Sequence, residues 1–571
     1  MALIERQESI PEQHELRKKY SPHLAQLLYN RNILSVSDAE DFLNPQFEKN
    51  YDPFLMKDML LAVERLYRAI QNKESIVIYA DYDADGIPAA IILSSLFKKI
   101  HYPHYEIYIP HRYDEGYGIH QEALEKITSE KKPLIISVDV GITAHEAADW
   151  CTNNDIDLII TDHHLPETKD GKEFLPKAFA VVNPKREECF YPDPMLAGSG
   201  VAFKLVQAFL IRYGKEFHIS KGWEKWLLDM VGIATISDMV PLLNENRIFA
   251  YFGLKVIQKT KRKGLKSLIW KSGASLNHLN EEDVSFGIAP KINAASRMGK
   301  PEDALAVFLA ESDVDAESSV KHLEDLNKKR KLLVAQTSKQ AYAKVEKKEL
   351  KDIIVVGSPD WQAGILGLIA SKLVEKYQKP AFVWSLENGV VKGSCRSYNG
   401  FNLVEIMERA PKETFIQFGG HKEAGGFSCD KNEVHFLEER LLKNFPTKEV
   451  PDEESFVYDD VIELHEINES LYKEIQKLGP FGAGNEKPLF LFKGIIPTSV
   501  KQFGKGSEHF ELSFKNGNTS LRAISFFREK EDFSFVPELG VGGLILGHIE
   551  QSYFMGKKEL RIRIVDYLEK G

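Results

Sequence analysis

Residues 75–100 read SIVIYADYDADGIPAAIILSSLFKKI. The opening run, SIVIYA, is continuously apolar and suits a strand buried on both faces, and AAIILSSLFKKI has helical character. Between them Asp81, Asp83 and Asp85 stand on alternate positions. Three carboxylates crowded at a strand end repel one another, so the stretch stores charge that a fold alone does not need. A divalent cation is what such a cluster holds.

Working outward, the same alternation repeats. MKDMLLAVERLYRAIQ (56–71), QEALEKITSEKK (121–132) and AHEAADWCTNN (144–154) read as helices, while YEIYIP (105–110), LIISVDV (134–140), DLIITD (157–162) and AFAVVN (178–183) read as strands. Short apolar strands with helical crossovers predict a parallel sheet covered on both faces, with ligands beyond the carboxyl ends of its strands. Residues 202–275 read mostly as helices, and a long charged helix follows at about 315–348. A second α/β unit begins at DIIVVGS (352–358). After the acidic linker TKEVPDEESF (447–456), five short strands (LFLFKGII, HFELSFKN, LRAISFF, GGLILGHIE and LRIRIVDYL) with glycine-rich turns predict a small barrel of the OB type. The expected organisation is a lead segment (1–55), a catalytic α/β domain (56–300), a connecting helix (301–350), a second α/β domain (351–448) and an OB-like β-barrel (455–571).

The 571 residues are too many for one hydrophobic core. A net charge of −10 excludes a polycation, yet nucleic-acid binding needs only a local basic groove. Cys151, Cys189, Cys395 and Cys429 form no C-x-x-C pair, so neither a disulfide framework nor a zinc site is expected, and a reducing cytoplasm fits. The charged N-terminus lacks the apolar core of a signal peptide, and no run is long enough to span a bilayer, so no membrane association is expected.

The strand ends carry a consistent inventory. Asp81, Asp83 and Asp85 follow the first strand, LIISVDVG presents Asp139, LIITDHHLP presents Asp162, His163 and His164, and MVGIATISDMVPL supplies Asp238. A single Asp at such a place is ordinarily a helix cap or turn former. Four acidic clusters, all closing apolar segments and one joined to His-His, point instead to a metal centre. Hard carboxylate oxygens with one or two imidazoles suit Mn²⁺ or Mg²⁺ better than Zn²⁺.

In order, DYDADG, VDVGI, TDHH and ISDMVPL resemble the four motifs of the DHH phosphoesterases. HRYDEGYGI, LAGSGVAFKL, FGIAPKINAASRMG, WQAGILGLIASKL, KGSCRS, FGGHKEAGG and LGPFGAGNEKPLF extend the resemblance over almost the whole chain, to the single-stranded-DNA-specific exonucleases of that family. The resemblance implies two divalent ions, Mn²⁺ by preference or Mg²⁺, and 5′→3′ hydrolysis of single-stranded DNA to mononucleotides in recombination and repair. By motif, Asp83, Asp139, His163 and Asp238 ligate the ions, with Asp139 bridging and Asp81 and Asp85 flanking, while Asp162 orients a histidine and His164 lies near the scissile phosphate. Arg112, Ser394 and Arg396 match a 5′-phosphate pocket, and Asn293, Arg297, Arg330, Gln362 and His421 match positions on the strand's path. Phe503, Phe510 and Phe514 are candidates for base stacking or for barrel core, and Lys328, Lys329 and Lys331 beside Arg330 lend positive charge. Pro88, Gln362, Ser296 and Gly425 depart from the usual pattern of the family. A RecQ-type helicase, a single-strand-binding protein and a monomeric state are implied by the family alone. The rival readings are a DHH phosphodiesterase acting on short oligonucleotides or cyclic dinucleotides, and a non-catalytic scaffold that binds single strands.

Overall fold

The structure is a computed structural model that describes residues 3–112, 115–443, 445–446, 455–504, 509–516, 519–554 and 557–569. Most of the acidic linker, residues 447–454, lies outside the described residues. The chain forms two compact units, one of residues 51–240 and 252–450, the other of residues 1–50, 241–251 and 451–571.

The first unit contains the stretch quoted at the outset. Strand β1 (Ile76–Ala80) is buried at every position and lies inside a parallel sheet with β2 (Tyr105–Tyr108), β3 (Leu134–Val138), β4 (Leu158–Thr161) and β5 (Ala180–Val182). The spatial order is β2-β1-β3-β4-β5, all parallel. The chain therefore leaves β1 toward one edge and returns to β3 on its other side. That reversal opens a crevice beyond the carboxyl ends of β1 and β3, where a parallel sheet binds its ligand. Helices α1 (Gly86–Lys99), α2 (Gly198–Tyr213) and α3 (Leu228–Ser237) are apolar on almost all sides because they pack on one another as well as on the sheet. Pro88 falls in the first turn of α1, where the missing N–H costs no intrahelical bond.

Helix α4 (Ala289–Met298) leads to α5 (Asp313–Val345), whose 33 residues extend about 50 Å. Ser312 caps α5, its hydroxyl accepting from the Asp315 N–H. A second sheet, order β9-β10-β8-β7-β6, comprises β6 (Ile354–Gly357), β7 (Ala381–Glu387), β8 (Val390–Arg396), β9 (Gln417–His421) and β10 (Ala424–Asp430), with α6 (Leu366–Tyr377) against it. Only β6 and β7 pair in parallel. Gly425 on β10 sits in a tight place, where a Cβ would stand 3.0 Å from both the Cys395 sulfur and the Gly419 carbonyl oxygen.

The second unit is a seven-stranded sheet, order β11-β12-β16-β17-β15-β14-β13, made of β11 (Asp460–Glu463), β12 (Phe490–Ile495), β13 (Ser499–Phe503), β14 (His509–Asn516), β15 (Thr519–Phe526), β16 (Gly543–Phe554) and β17 (Lys557–Glu569). Its core takes in Leu24, Leu27 and Leu28 of the N-terminal helix Pro22–Asn30 together with Phe490, Phe492 and Tyr567. Arg247 holds the inserted segment 241–251 in place, donating to the carbonyls of Phe42, Leu478 and Gly479 at 2.8–3.1 Å. Phe510 and Phe514 are fully buried in this core, so the base-stacking alternative for these two is excluded; Phe503 is exposed.

All four cysteines are free. Among the described residues no helix is long and apolar enough to cross a membrane.

Candidate active site

The strand ends of β1, β3 and β4 reach the crevice, whereas Asp238, read from the sequence as another strand end, instead follows the last turn of helix α3, because MVGIATIS is buried as a helix packed on α1 and α2. Asp81, Asp83 and Asp139 can each offer an oxygen within 4.8 Å of the others, and so can Asp85, His163 and Asp238 through an oxygen or ring nitrogen. Of the first motif's aspartates, Asp81 and Asp83 fall in one such group and Asp85 in the other, and a third group joins Asp139 with His163 and His164. Asp139 stands between, its Oδ1 3.2 Å from Nε2 of His163.

The backbone is shaped to deliver these groups. Asp83 turns the loop by accepting from the N–H groups of Asp85 and Gly86 at 2.7 and 3.1 Å, and the Asn293 side-chain oxygen accepts from the Ala84 N–H at 2.9 Å. Asp139 has φ of +62°, a left-handed conformation that is unfavourable for a residue with a Cβ and that persists where function requires it. Its carboxylate rests on Gly198, where a Cβ would come within 2.3 Å of Oδ1 and 2.7 Å of the Asp139 Cβ. Asp85 accepts from the first N–H groups of α2, Gly198 at 2.6 Å and Ser199 at 2.7 Å, so it caps that helix while its Oδ2 lies 3.8 Å from His163 Nε2.

The two histidines have different partners. His163 donates from Nδ1 to the Leu196 carbonyl at 2.9 Å, leaving Nε2 directed at the carboxylates. Burial, with the neighbouring His164 charge, holds its pKa down to about 3, so the ring is neutral and Nε2 carries a lone pair. His164 pairs through Nδ1 with Asp162 at 2.8 Å. Burial opposes its charge, but that bond and the surrounding carboxylates raise its pKa to about 9. Asp162 itself would be raised by burial, yet bonds from His164 and from the Ile142, His163 and His164 N–H groups bring it down to about 2. Asp162 thus orients His164, whereas a carbonyl orients His163.

Like charges and burial act together on the rest. Asp81 and Asp139 are raised well above the usual carboxylate range by burial and by neighbouring aspartates, Asp85 is raised to about 6, and Asp238 to about 8. Asp81 Oδ1, Asp139 Oδ1 and His163 Nε2 are buried and, among the described residues, have no hydrogen-bond partner. Three orphaned buried acceptors pointing into one space are what a cation would satisfy. The donor set, hard carboxylate oxygens with the single neutral imidazole of His163, fits a pair of Mn²⁺ or Mg²⁺ ions.

Beside the carboxylates lies the opposite charge. Burial and the charges of Arg112, Arg330 and Arg396 push Arg297 down to about 9. Arg396 and Arg330 are also lowered, chiefly by burial. Guanidinium groups stay protonated at neutral pH, so their crowding is a demand for an anion. Among the described residues Arg112, Arg330 and Arg396 have no carboxylate partner; Arg112 lies over the Tyr82 ring at 4.8 Å, Arg330 donates to Asn327, and Arg396 donates to the Cys395 carbonyl at 2.8 Å and to the Ser394 hydroxyl at 3.3 Å. The 5′-phosphate candidates Arg112, Ser394 and Arg396 and the path candidates Arg297 and Arg330 therefore form one cluster. His421, on β9, is close enough for the charges of Arg396 and His164 to act on it. Arg297 donates to the Gly364 carbonyl at 2.9 Å and, with Lys329, Trp361 and Gln362, lines a cavity of about 380 Å³. Lys328 instead reaches Asp325 on the exposed face of α5.

Sequence reasoning passed over the Gly198–Ser199 amides and the Leu196 carbonyl. Their signal was LAGSG, a run of small residues opening a helix, quoted above only as part of a longer resemblance.

Residues 75–235 match the DHH family, N-terminal domain, residues 340–444 the DHHA1 domain, and residues 458–566 the RecJ OB domain. Sheet order, acidic crevice and matched segments together define a DHH-family protein. The chain is 35% identical over 553 residues to the single-stranded-DNA-specific exonuclease RecJ of Bacillus subtilis, covering 96% of this chain and 68% of that protein, and 29% identical to RecJ of Haemophilus influenzae, covering 96% of each. The chain belongs to the RecJ family. Among solved structures it resembles Thermus thermophilus RecJ in complex with Mn²⁺ (TM-score 0.82, 24% identity, covering all of this chain and 80% of that one). It also resembles an exonuclease RecJ bound to manganese (TM-score 0.59, 30% identity, covering 68% of this chain and 96% of that one).

Proposed function

We propose that the protein is a metal-dependent exonuclease that degrades single-stranded DNA from the 5′ end to mononucleotides. One observation carries this reading: a cluster of buried carboxylate and imidazole acceptors lies beside the guanidinium groups of Arg112, Arg330 and Arg396, which among the described residues have no carboxylate partner. One ion would be held by Asp81, Asp83 and Asp139, the other by Asp85, His163 and Asp238 with Asp139 shared. Two divalent ions held there supply Lewis acidity at phosphorus and an acidified water as nucleophile.

The chain's own residues do the rest. Arg112, Ser394 and Arg396 grip the terminal phosphate with guanidinium forks and a hydroxyl. Arg297, Arg330, Asn293, Gln362 and His421 hold the backbone that follows. His164, kept protonated by Asp162, directs a positive N–H at the scissile phosphate and gives its proton to the leaving oxygen. On the OB unit the exposed rings Phe503 and Phe527 pack around His509 at 5.2 and 5.0 Å, with Arg563 over Phe526 at 4.2 Å, a surface of rings and cations suited to sequence-tolerant stacking of a single strand. That surface favours a polymer over a short oligonucleotide or a cyclic dinucleotide. The domain bounds 1–55, 56–300, 301–350, 351–448 and 455–571 remain our division of the chain, and cytoplasmic action behind a helicase with a single-strand-binding protein remains part of the same proposal.

The end-sensing step is tested by Arg396→Ala on matched strands bearing a 5′-phosphate or a 5′-hydroxyl. Losing a charge-assisted pair should lower kcat/KM about tenfold on the phosphorylated strand and leave the hydroxyl strand almost unchanged. Equal loss on both would remove the 5′-phosphate pocket from the account.

A further inference from the structure

The segment Gly116-Tyr117-Gly118 stands between the acidic cluster and the arginine cluster. Both glycines have positive φ, +87° and +113°, which residues bearing a Cβ rarely adopt. Space does not explain them, because a Cβ on either would meet nothing closer than the His120 ring at 3.9 Å. They serve the path of the backbone, an arch pinned from below by Tyr79, whose fully buried side chain donates its hydroxyl proton to the Gly118 carbonyl at 3.1 Å. The arch holds Tyr117 outward, with 47% of the residue exposed.

The neighbours of this ring mark its place. His164 stands edge-on at 6.0 Å on one side, and Tyr82 edge-on at 6.5 Å on the other. Tyr82 is buried and carries Arg112 over its ring, so it is not open to a base as Tyr117 is. The Tyr117 hydroxyl comes only to 3.5 Å from His164 Nδ1, a nitrogen already bonded to Asp162 at 2.8 Å. Neither core packing nor a short hydrogen bond accounts for an aromatic ring presented here between two glycines at positive φ.

We propose that the Tyr117 ring is the stacking platform for the base of the 5′-terminal nucleotide. This rests on the exonuclease reading and deepens it. A strand whose terminal phosphate is held at Arg112 and Arg396, and which is cut at the next phosphate beside His164, spans the gap with one nucleotide. Tyr117 flanks that gap, touching the surroundings of both ends. A π-face accepts every base, which an enzyme that consumes any sequence requires.

The test uses the full chain with Mn²⁺ and two 5′-phosphorylated single strands, identical except that the terminal residue carries a base in one and is an abasic tetrahydrofuran in the other. The wild-type protein should favour the base-bearing strand about tenfold in kcat/KM for the first cleavage, and Tyr117→Ala should lose about that factor on that strand alone. Tyr117→Phe should behave as wild type. Equal activity of the wild-type protein on both strands overturns the proposal, as does a Tyr117→Ala loss of the same size on the abasic strand, or a loss in Tyr117→Phe matching that in Tyr117→Ala. A wild-type protein that cleaves neither strand refutes the exonuclease reading itself, and the platform falls with it.

Discussion

Asp139→Ala is expected to abolish hydrolysis, with turnover falling on the order of 1000-fold or more, because the metal pair supplies several kcal/mol of transition-state stabilisation. Asp139 groups with Asp81 and Asp83 while its Oδ1 lies 3.2 Å from Nε2 of His163, that oxygen is a buried acceptor without a hydrogen-bond partner among the described residues, and a φ of +62° aims it there. Without it each ion would retain part of its ligand set but no shared oxygen would fix their spacing. Binding of single-stranded DNA should persist, since Arg112, Arg297 and Arg396 are separate groups. The fold should persist as well. Asp139 is raised far above the ordinary carboxylate range by burial and by Asp85, Asp83 and Asp81, so without metal its removal relieves repulsion. Turnover of end-labelled DNA with Mn²⁺, beside filter binding and thermal melting in chelator, separates these effects. Retained turnover would contradict the bridging role.

Gly198→Ala should be nearly as damaging although it removes no functional group. The added methyl would stand 2.3 Å from Asp139 Oδ1 and 2.7 Å from its Cβ, too close for a side-chain rotation to relieve. Asp139 cannot withdraw without leaving its strained backbone, and α2 cannot withdraw without pulling the Gly198 and Ser199 N–H groups from Asp85. Both candidate positions would be disturbed by one methyl. Loss of a supporting contact of this kind costs about 10- to 100-fold in metal affinity or activity, and here the upper end is expected. Mn²⁺ titration by calorimetry, together with turnover, checks it; wild-type affinity in Gly198→Ala would show that the crevice adapts.

How much of this was readable in the chain depended on burial. The strands β1, β3 and β4 are covered on both faces, so their apolar runs stand out and the charged residues that close them are conspicuous. Two strands of the seven-stranded sheet missing from the sequence reading, β11 and β13, are its edges, where DVIE and SVKQF carry little apolar pattern, and the separate parallel pair Leu3–Arg6 with Ser455–Tyr458 was missed as well. A short hairpin, Glu167–Lys169 with Lys172–Phe174, was missed for the same reason. Asp238 could be suspected from its place after an apolar stretch, but which ion position each of Asp81, Asp83 and Asp85 faces depends on loop hydrogen bonds that spacing does not encode. Arg112, Ser394 and Arg396 came from family resemblance alone, because no local pattern announces that residues so far apart in the chain converge. Phe510 and Phe514 were ambiguous on their strand, and packing put them in the core.

The central claim is tested most directly by incubating the protein with Mn²⁺ and single-stranded DNA labelled at its 5′ end in one sample and its 3′ end in another, beside a matched duplex and a chelator control. The expected result is immediate release of labelled mononucleotide from the 5′-labelled strand, progressive shortening of the 3′-labelled strand, a spared duplex and no cleavage in chelator. Cleavage confined to oligomers of a few nucleotides, release from the 3′ end, or binding without cleavage in Mn²⁺ would contradict it.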